Sequence, residues 1–197
     1  MDDGAGACAA RAECCSMIRS DFDPLALVGL RVHADDDEAL RRAHAWAVAL
    51  HDGQVRKDGS RLIDHVVGVT RNVQRFAPEG YDSELLIAAL LHDVVENTPV
   101  SLAEVEARFG PRVAALVDAV TNREGESPAD SAFRARDAGG DALLLRLCDR
   151  LDGIERSHRR SLKDRRKFLR ASREVHLPLA EEHFPALGET MRAALAE

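Results

Sequence analysis

Aromatic residues are scarce in this chain of 197 residues: one Trp, one Tyr and six Phe make up 4% of it. The apolar share is nevertheless 45%, enough for a sizeable core, which must be built mainly from Leu, Val and Ala. Leu and Ala are strong helix formers, whereas sheets lean on aromatic and β-branched residues, so this balance favours helices. Basic charge is also short, with 27 Lys and Arg against 34 Asp and Glu and a formal net charge of -7. A general nucleic-acid binder carries a basic face, so the deficit argues against that class. It does not argue against a small phosphorylated substrate, because a bound cation changes the local charge.

Long hydrophobic runs are missing as well. The longest, Leu85 to Leu91, is far below the roughly 20 residues of a membrane span. The opening stretch MDDGAGACAARAECC has no basic start followed by an apolar segment, so no secretory signal and a cytoplasmic location are expected. The four cysteines, Cys8, Cys14, Cys15 and Cys148, form no pairing framework, which suits a reducing compartment. Cys148 lies in an apolar run and reads as a core residue.

What is present is helical periodicity. Residues 1–34 show little of it and read as a flexible tail, leaving 35–197 as one domain. The acidic cluster Asp35-Asp36-Asp37 suits a helix N-terminus, and Leu40, Ala43, Ala47 and Leu50 follow at helical spacing. Residues 54–60 read as a polar loop, and a second helix is predicted over Leu62 to Arg75. LLIAALLHDVVE, entered near Asp82 or Ser83, is apolar nearly all round and reads as one central buried helix. Ser101 and Glu104 match a capping box, and Gly110-Pro111 divides the next two helices. Residues 122–140, rich in Gly, Asp, Ser and Arg, read as a loop or a frayed helix. A buried helix opens at Asp141 and carries LLLRLCDRL, and the last helices occupy about 162–195. No strand-like alternation and no internal repeat stand out. The fold class is all-α, a helical bundle.

Polar residues stranded in apolar helices carry the functional signal. Asp149 sits inside Leu143-Leu-Leu-Arg-Leu-Cys-Asp-Arg-Leu, and a carboxylate there needs a cation or strong hydrogen bonds. An ion pair with a nearby Arg would meet that need, and so would a metal. His92 and Asp93 pose the same problem at the end of the most apolar helix. Glu96 returns to their face at helical spacing. Acidic groups crowded in a core repel one another unless a metal neutralises them, which favours one shared site. His65 follows the Arg56-Lys57 loop and is weak evidence alone. His44 and His51, one heptad apart, are alternative ligands but read rather as a surface and a helix-end residue.

The order His65, then His92-Asp93, then Asp149 resembles the HD-type metal-dependent phosphohydrolases. Within them, HDGQVRKDGSRLIDH is similar to the H-x-x-Q-x-R-K-S-G-x-x-Y-x-x-H segment of the alarmone hydrolases, the hydrolase half of the Rel/Spo enzymes and the free-standing small alarmone hydrolases. LLIAALLHDVVENTPVSLAEVEARFGPRVAALVDAVT and LLLRLCDRL resemble further segments of the same family in order, so the likeness spans about residues 41–180. It implies an HD-domain helical bundle with one divalent metal, Mn²⁺, on His65, His92, Asp93 and Asp149. It further implies Glu96 and Asn97 as catalytic residues beside an attacking water, and Arg56 and Lys57 as substrate-binding cations. The implied reaction removes pyrophosphate from the 3′ position of guanosine tetra- or pentaphosphate, so the partner is a small nucleotide, with no nucleic acid and no membrane. No readable pattern fixes the oligomeric state.

Four departures lie near this chemistry. The family's Glu-Asp pair is Glu96-Asn97, its tyrosine before the first ligand is Leu62, and its R-L-H-N-x-R is Arg150-Leu151-Asp152-Gly153-Ile154-Glu155. They leave two alternatives open: a phosphohydrolase of another nucleotide or phosphate ester, and a module that senses a nucleotide without hydrolysing it. The basic cluster Arg159, Arg160, Lys163, Arg165, Arg166, Lys167 and Arg170 reads as a solvated helix face.

Overall fold

A computed structural model describes residues 37–196. The expectations for residues 1–34, including Cys8, Cys14 and Cys15, lie outside the described residues. The chain is all-α: α1 Asp37–Leu50, α2 Leu62–Phe76, α3 Ser83–Leu91, α4 Val94–Asn97, α5 Leu102–Phe109, α6 Pro111–Val120, α7 Pro128–Ala138 and α8 Gly140–Glu155. A 3₁₀ turn, Ser157–Arg159, leads to α9 Leu162–Ala171, a π-helical turn Ser172–His176, α10 Leu177–His183 and α11 Pro185–Ala196. No strand occurs among the described residues, and an isolated antiparallel bridge between Val55 and Arg61 closes the loop between α1 and α2. No described helix is long and apolar enough to cross a membrane.

The apolar run becomes the centre of the bundle. Every residue from Leu85 to Leu91 is buried, and each fully buried Leu contributes about 1.5–3 kcal/mol of transfer free energy. Asp82 starts α3 by accepting the Leu85 amide on its side chain. The helix packs on α1, α2 and α6, while α8, itself buried along most of its length, packs on α2 and α7. The site lies where α2, the end of α3 and α8 converge. Cys148 is buried in α8 as a free thiol.

Two readings of the sequence need correction. LLIAALLHDVVE is not one helix: α3 stops at Leu91, His92 and Asp93 form a turn, and α4 restarts at Val94. Apolar periodicity is blind to that break, because Val94 is buried in the same core on the far side. Residues 122–140, read as a loop or a frayed helix, are a loop only over 122–127, and a well-capped helix follows. Ser127 and Asp130 form a capping box, Pro128 occupies the first turn, and α7 buries Ser131, Ala132 and Ala135. Its polar composition hid a short helix whose start is set by capping rather than by apolar pattern.

Candidate metal centre

His65 stands near the start of α2 and is buried. Its Nδ1 lies 2.6 Å from Asp152 Oδ2. A carboxylate only accepts, so Nδ1 carries the proton and Nε2 faces the other way, 3.3 Å from Asp149 Oδ1 and 3.7 Å from Asp93 Oδ2. His92 repeats the arrangement in the turn after α3. Its Nδ1 donates to the Ala89 carbonyl at 2.8 Å, and its buried Nε2 has no hydrogen-bond partner. That orphaned nitrogen is 3.6 Å from Asp93 Oδ1, and the two imidazole rings meet edge to face at 5.3 Å. Donor atoms of His65, His92 and Asp149 all lie within 4.8 Å of one another. Two nitrogen lone pairs and a carboxylate oxygen, with Asp93 alongside, form a donor set that fits a divalent transition-metal ion.

The electrostatics agree with this fit. Burial alone would push His65 down, but hydrogen bonds to Asp149 and Asp152 and the charges of Asp149 and Asp93 raise it to about 9. Burial alone would push Asp149 up, but the hydrogen bond and charge of His65, with Arg146 and His92 nearby, hold it well below the usual carboxylate range. A proton on His65 thus supplies positive charge among these carboxylates, where a cation would do the same. Asp149 also pairs with the buried Arg146 at 3.3 Å, the ion pair that the sequence offered as one answer for this carboxylate.

The remaining candidates divide. Glu96, on the exposed side of α4, has one oxygen 2.6 Å from the Asn122 amide and the other 3.1 Å from the Asn122 side chain. Partial desolvation pushes its carboxyl up, those two hydrogen bonds oppose, and the Asp93 charge adds to the rise. Asn97 turns its Nδ2 back onto the Asp93 carbonyl at 3.1 Å. Arg56 reaches the cluster, 3.6 Å from Asp152 Oδ2, whereas Lys57 next to it is exposed. The structure therefore brings together His65, His92, Asp93, Asp149 and Arg56, and leaves Asn97 and Lys57 exposed at its margin.

Several neighbours were not read as site residues, and His51 was named only as an alternative ligand. His51 ends α1 as expected, but it is buried, bonded to Gln54 at 3.1 Å and within the electrostatic reach of Asp93, His92 and His65. Arg146 joins Asp149 to Asn122, and thereby to Glu96, while it also donates to the Val120 carbonyl. Arg150 and Arg160 share the Phe168 ring, at 4.4 and 4.2 Å from its centroid. Burial pushes Arg150 down to about 10, and the like charges of Arg146 and Arg160 press the same way against Asp149. Arg160 is lowered by burial and by Arg56. Arg56, Arg146, Arg150 and Arg160 thus bring positive charge to the neighbourhood of the centre, which suits an anion.

The sequence profile of the family described as "HD domain" matches residues 43–141. The chain belongs to the HD domain family. It is 34% identical over 150 residues to the guanosine-3′,5′-bis(diphosphate) 3′-pyrophosphohydrolase of Aquifex aeolicus, covering 73% of this chain and 21% of that protein. It is 33% identical over 156 residues to the bifunctional (p)ppGpp synthase/hydrolase SpoT of Escherichia coli, covering 74% and 22%. The GTP pyrophosphokinase of Streptomyces coelicolor matches at 33% over 151 residues, covering 72% and 17%. The chain thus spans about a fifth of the length of these curated relatives. A solved structure described as "A metazoan ortholog of SpoT hydrolyzes ppGpp and plays a role in starvation responses" superposes with a TM-score of 0.70 at 24% identity, covering 85% of this chain and 97% of that one. This likeness shows that the HD domain here has the same fold.

Proposed function

We propose that this HD domain is a metal-dependent phosphohydrolase that removes pyrophosphate from the 3′ position of guanosine tetra- or pentaphosphate. The observation that carries the reading is the pair of histidines with Nδ1 engaged and Nε2 facing Asp93 and Asp149. His65, His92, Asp93 and Asp149 would hold one divalent ion, Mn²⁺ by the resemblance. When bound, such an ion supplies Lewis acidity to a phosphoryl oxygen and to an attacking water.

This chain's own groups do the rest. Glu96, fixed by Asn122 and raised above its usual range, takes the proton of the water. The water oxygen bonds to the phosphorus borne on the 3′ oxygen, the bond from that phosphorus to the 3′ oxygen breaks, and the departing 3′ oxygen takes the proton that Glu96 accepted. Arg56, aided by the charges of Arg150 and Arg160 and by the exposed Lys57, holds the phosphates by charge and hydrogen bonds. Asn97 steadies the turn by bonding the Asp93 carbonyl.

The test incubates the purified protein with Mn²⁺ and guanosine 3′,5′-bis(diphosphate) and measures released pyrophosphate. Release is expected with this substrate and not with GTP or GDP. No release with Mn²⁺, Fe²⁺ or Zn²⁺ would sink the assignment. One observation favours a second reading, a hydrolase of a different nucleotide. Where the resemblance expects an asparagine side chain, Gly153 has none, and a Cβ built there would meet Phe168 at 2.7 Å. A wider panel of phosphate esters with the same metal separates the two.

A further inference from the structure

Asp152 is the most deeply buried carboxylate of the site, with 2% of its surface exposed. A desolvated carboxylate is retained only where it is fully engaged, and Asp152 is. One oxygen is 2.6 Å from His65 Nδ1. The Arg156 Nε, one helical turn on, lies 3.0 and 2.9 Å from its two oxygens. Arg56 approaches at 3.6 Å. Arg156 is itself anchored on α2, donating to the Asp64 carbonyl at 3.1 Å, one residue before His65.

The backbone of α2 is shaped around this carboxylate. A Cβ on Gly68 would lie 2.2 Å from Asp152 Oδ1 and 3.2 Å from Arg156. Only glycine at 68 lets α2 and α8 close to the separation at which Asp152 touches His65. The resemblance places histidine at position 152, so this charge is a feature of this chain rather than of the pattern it matches.

We propose that Asp152 is a positioning residue for the metal centre: it holds the proton of His65 on Nδ1, directs Nε2 at the ion and makes that nitrogen a stronger donor. A carboxylate behind a ligating imidazole fixes its tautomer and raises its basicity. Asp152 also ties Arg56 to the same histidine, so one side chain sets both the metal ligand and the cation that meets substrate phosphate. This inference rests on the metal centre proposed above.

Mn²⁺ binding to the full chain, followed by the loss of the free-ion EPR signal, tests it directly. The wild type should take up one Mn²⁺. Asp152→Ala should bind about 10–100-fold more weakly, the range typical of such partners, with Asp152→Asn between them. If the wild type binds and Asp152→Ala binds equally tightly, this inference fails alone. If the wild type binds no metal, the centre itself fails and takes the inference with it. Should Asp152→Ala not fold, ¹⁵N NMR of the Zn²⁺-loaded wild type decides. A proton on His65 Nδ1 and metal on Nε2 support the assignment, and the reverse tautomer overturns it.

Discussion

His65 and His176 are both buried, yet their surroundings drive their protonation in opposite directions. Carboxylates outweigh burial around His65 and raise it from 6.5 to about 9. Burial, assisted by the charge of Arg150, lowers His176 from 6.5 to about 3, with its Nδ1 3.3 Å from the Ala171 carbonyl. A raised group stabilises the fold fully below its unfolded value and loses that contribution as pH rises through the folded one. A depressed histidine is the reverse: its contribution is present above 6.5 and lost as pH falls toward 3. Urea denaturation of the metal-free protein should therefore show stability falling on both sides of pH 6.5. His176→Gln should flatten the acid side, removing a slope of up to about 1.4 kcal/mol per pH unit. A second expectation concerns Gly153. Gly153→Ala drives a methyl group to 2.7 Å from Phe168, whose ring is held by two guanidiniums. It should cost about 1–3 kcal/mol, and Phe168→Leu in the same chain should recover part of the loss in thermal denaturation.

At the scale of elements, α7 matters out of proportion to its length. Its Arg134 donates to the carbonyls of Asp118, Ala119 and Thr121, closing the C-terminal end of α6, and pairs with Glu126 at 2.8 Å. The next residue, Asn122, holds Glu96. Arg134→Ala should destabilise by about 2–3 kcal/mol, since several bonds to a charged donor are lost. It should also lower kcat more than it raises KM, because Glu96 loses its support while the phosphate-binding arginines stay in place. Chemical denaturation and steady-state kinetics check both effects. Elements announced by apolar spacing, such as α2 and the core of α3, were legible in the sequence. The stop at His92-Asp93 was not, because a hydrogen bond from Nδ1 to the Ala89 carbonyl, rather than a proline or glycine, shapes that turn. The helix α7 was not, because its start depends on Ser127 and Asp130 among otherwise polar residues.

At the scale of the molecule, the site is assembled by long-range contacts. His92, Asp93 and Asp149 could be nominated from sequence because each is a polar residue stranded in an apolar segment, His65 only through the family resemblance, and the structure places the four side by side. Asp152 lies 87 positions from the histidine it bonds, and Arg146 lies 24 from Asn122. No local pattern couples such pairs. The signals available for Asp152 were its place one turn after Asp149 in the same buried run and its departure from the histidine of the resembled pattern. Binding of an ion to the native state alone should stabilise it. At 100 times the dissociation constant the gain is about 2.7 kcal/mol, visible as a rise in Tm on adding Mn²⁺ and its reversal by chelator.

The central claim is that one ion in this cluster makes the chain a phosphohydrolase. Its most direct measurement is pyrophosphate release from guanosine 3′,5′-bis(diphosphate) by metal-stripped protein titrated with Mn²⁺, in the wild type and in Asp149→Asn. The expected result is release that rises from zero, saturates at one Mn²⁺ per chain and is lost in Asp149→Asn. Release that is indifferent to metal removal, or that persists undiminished in Asp149→Asn, would contradict it.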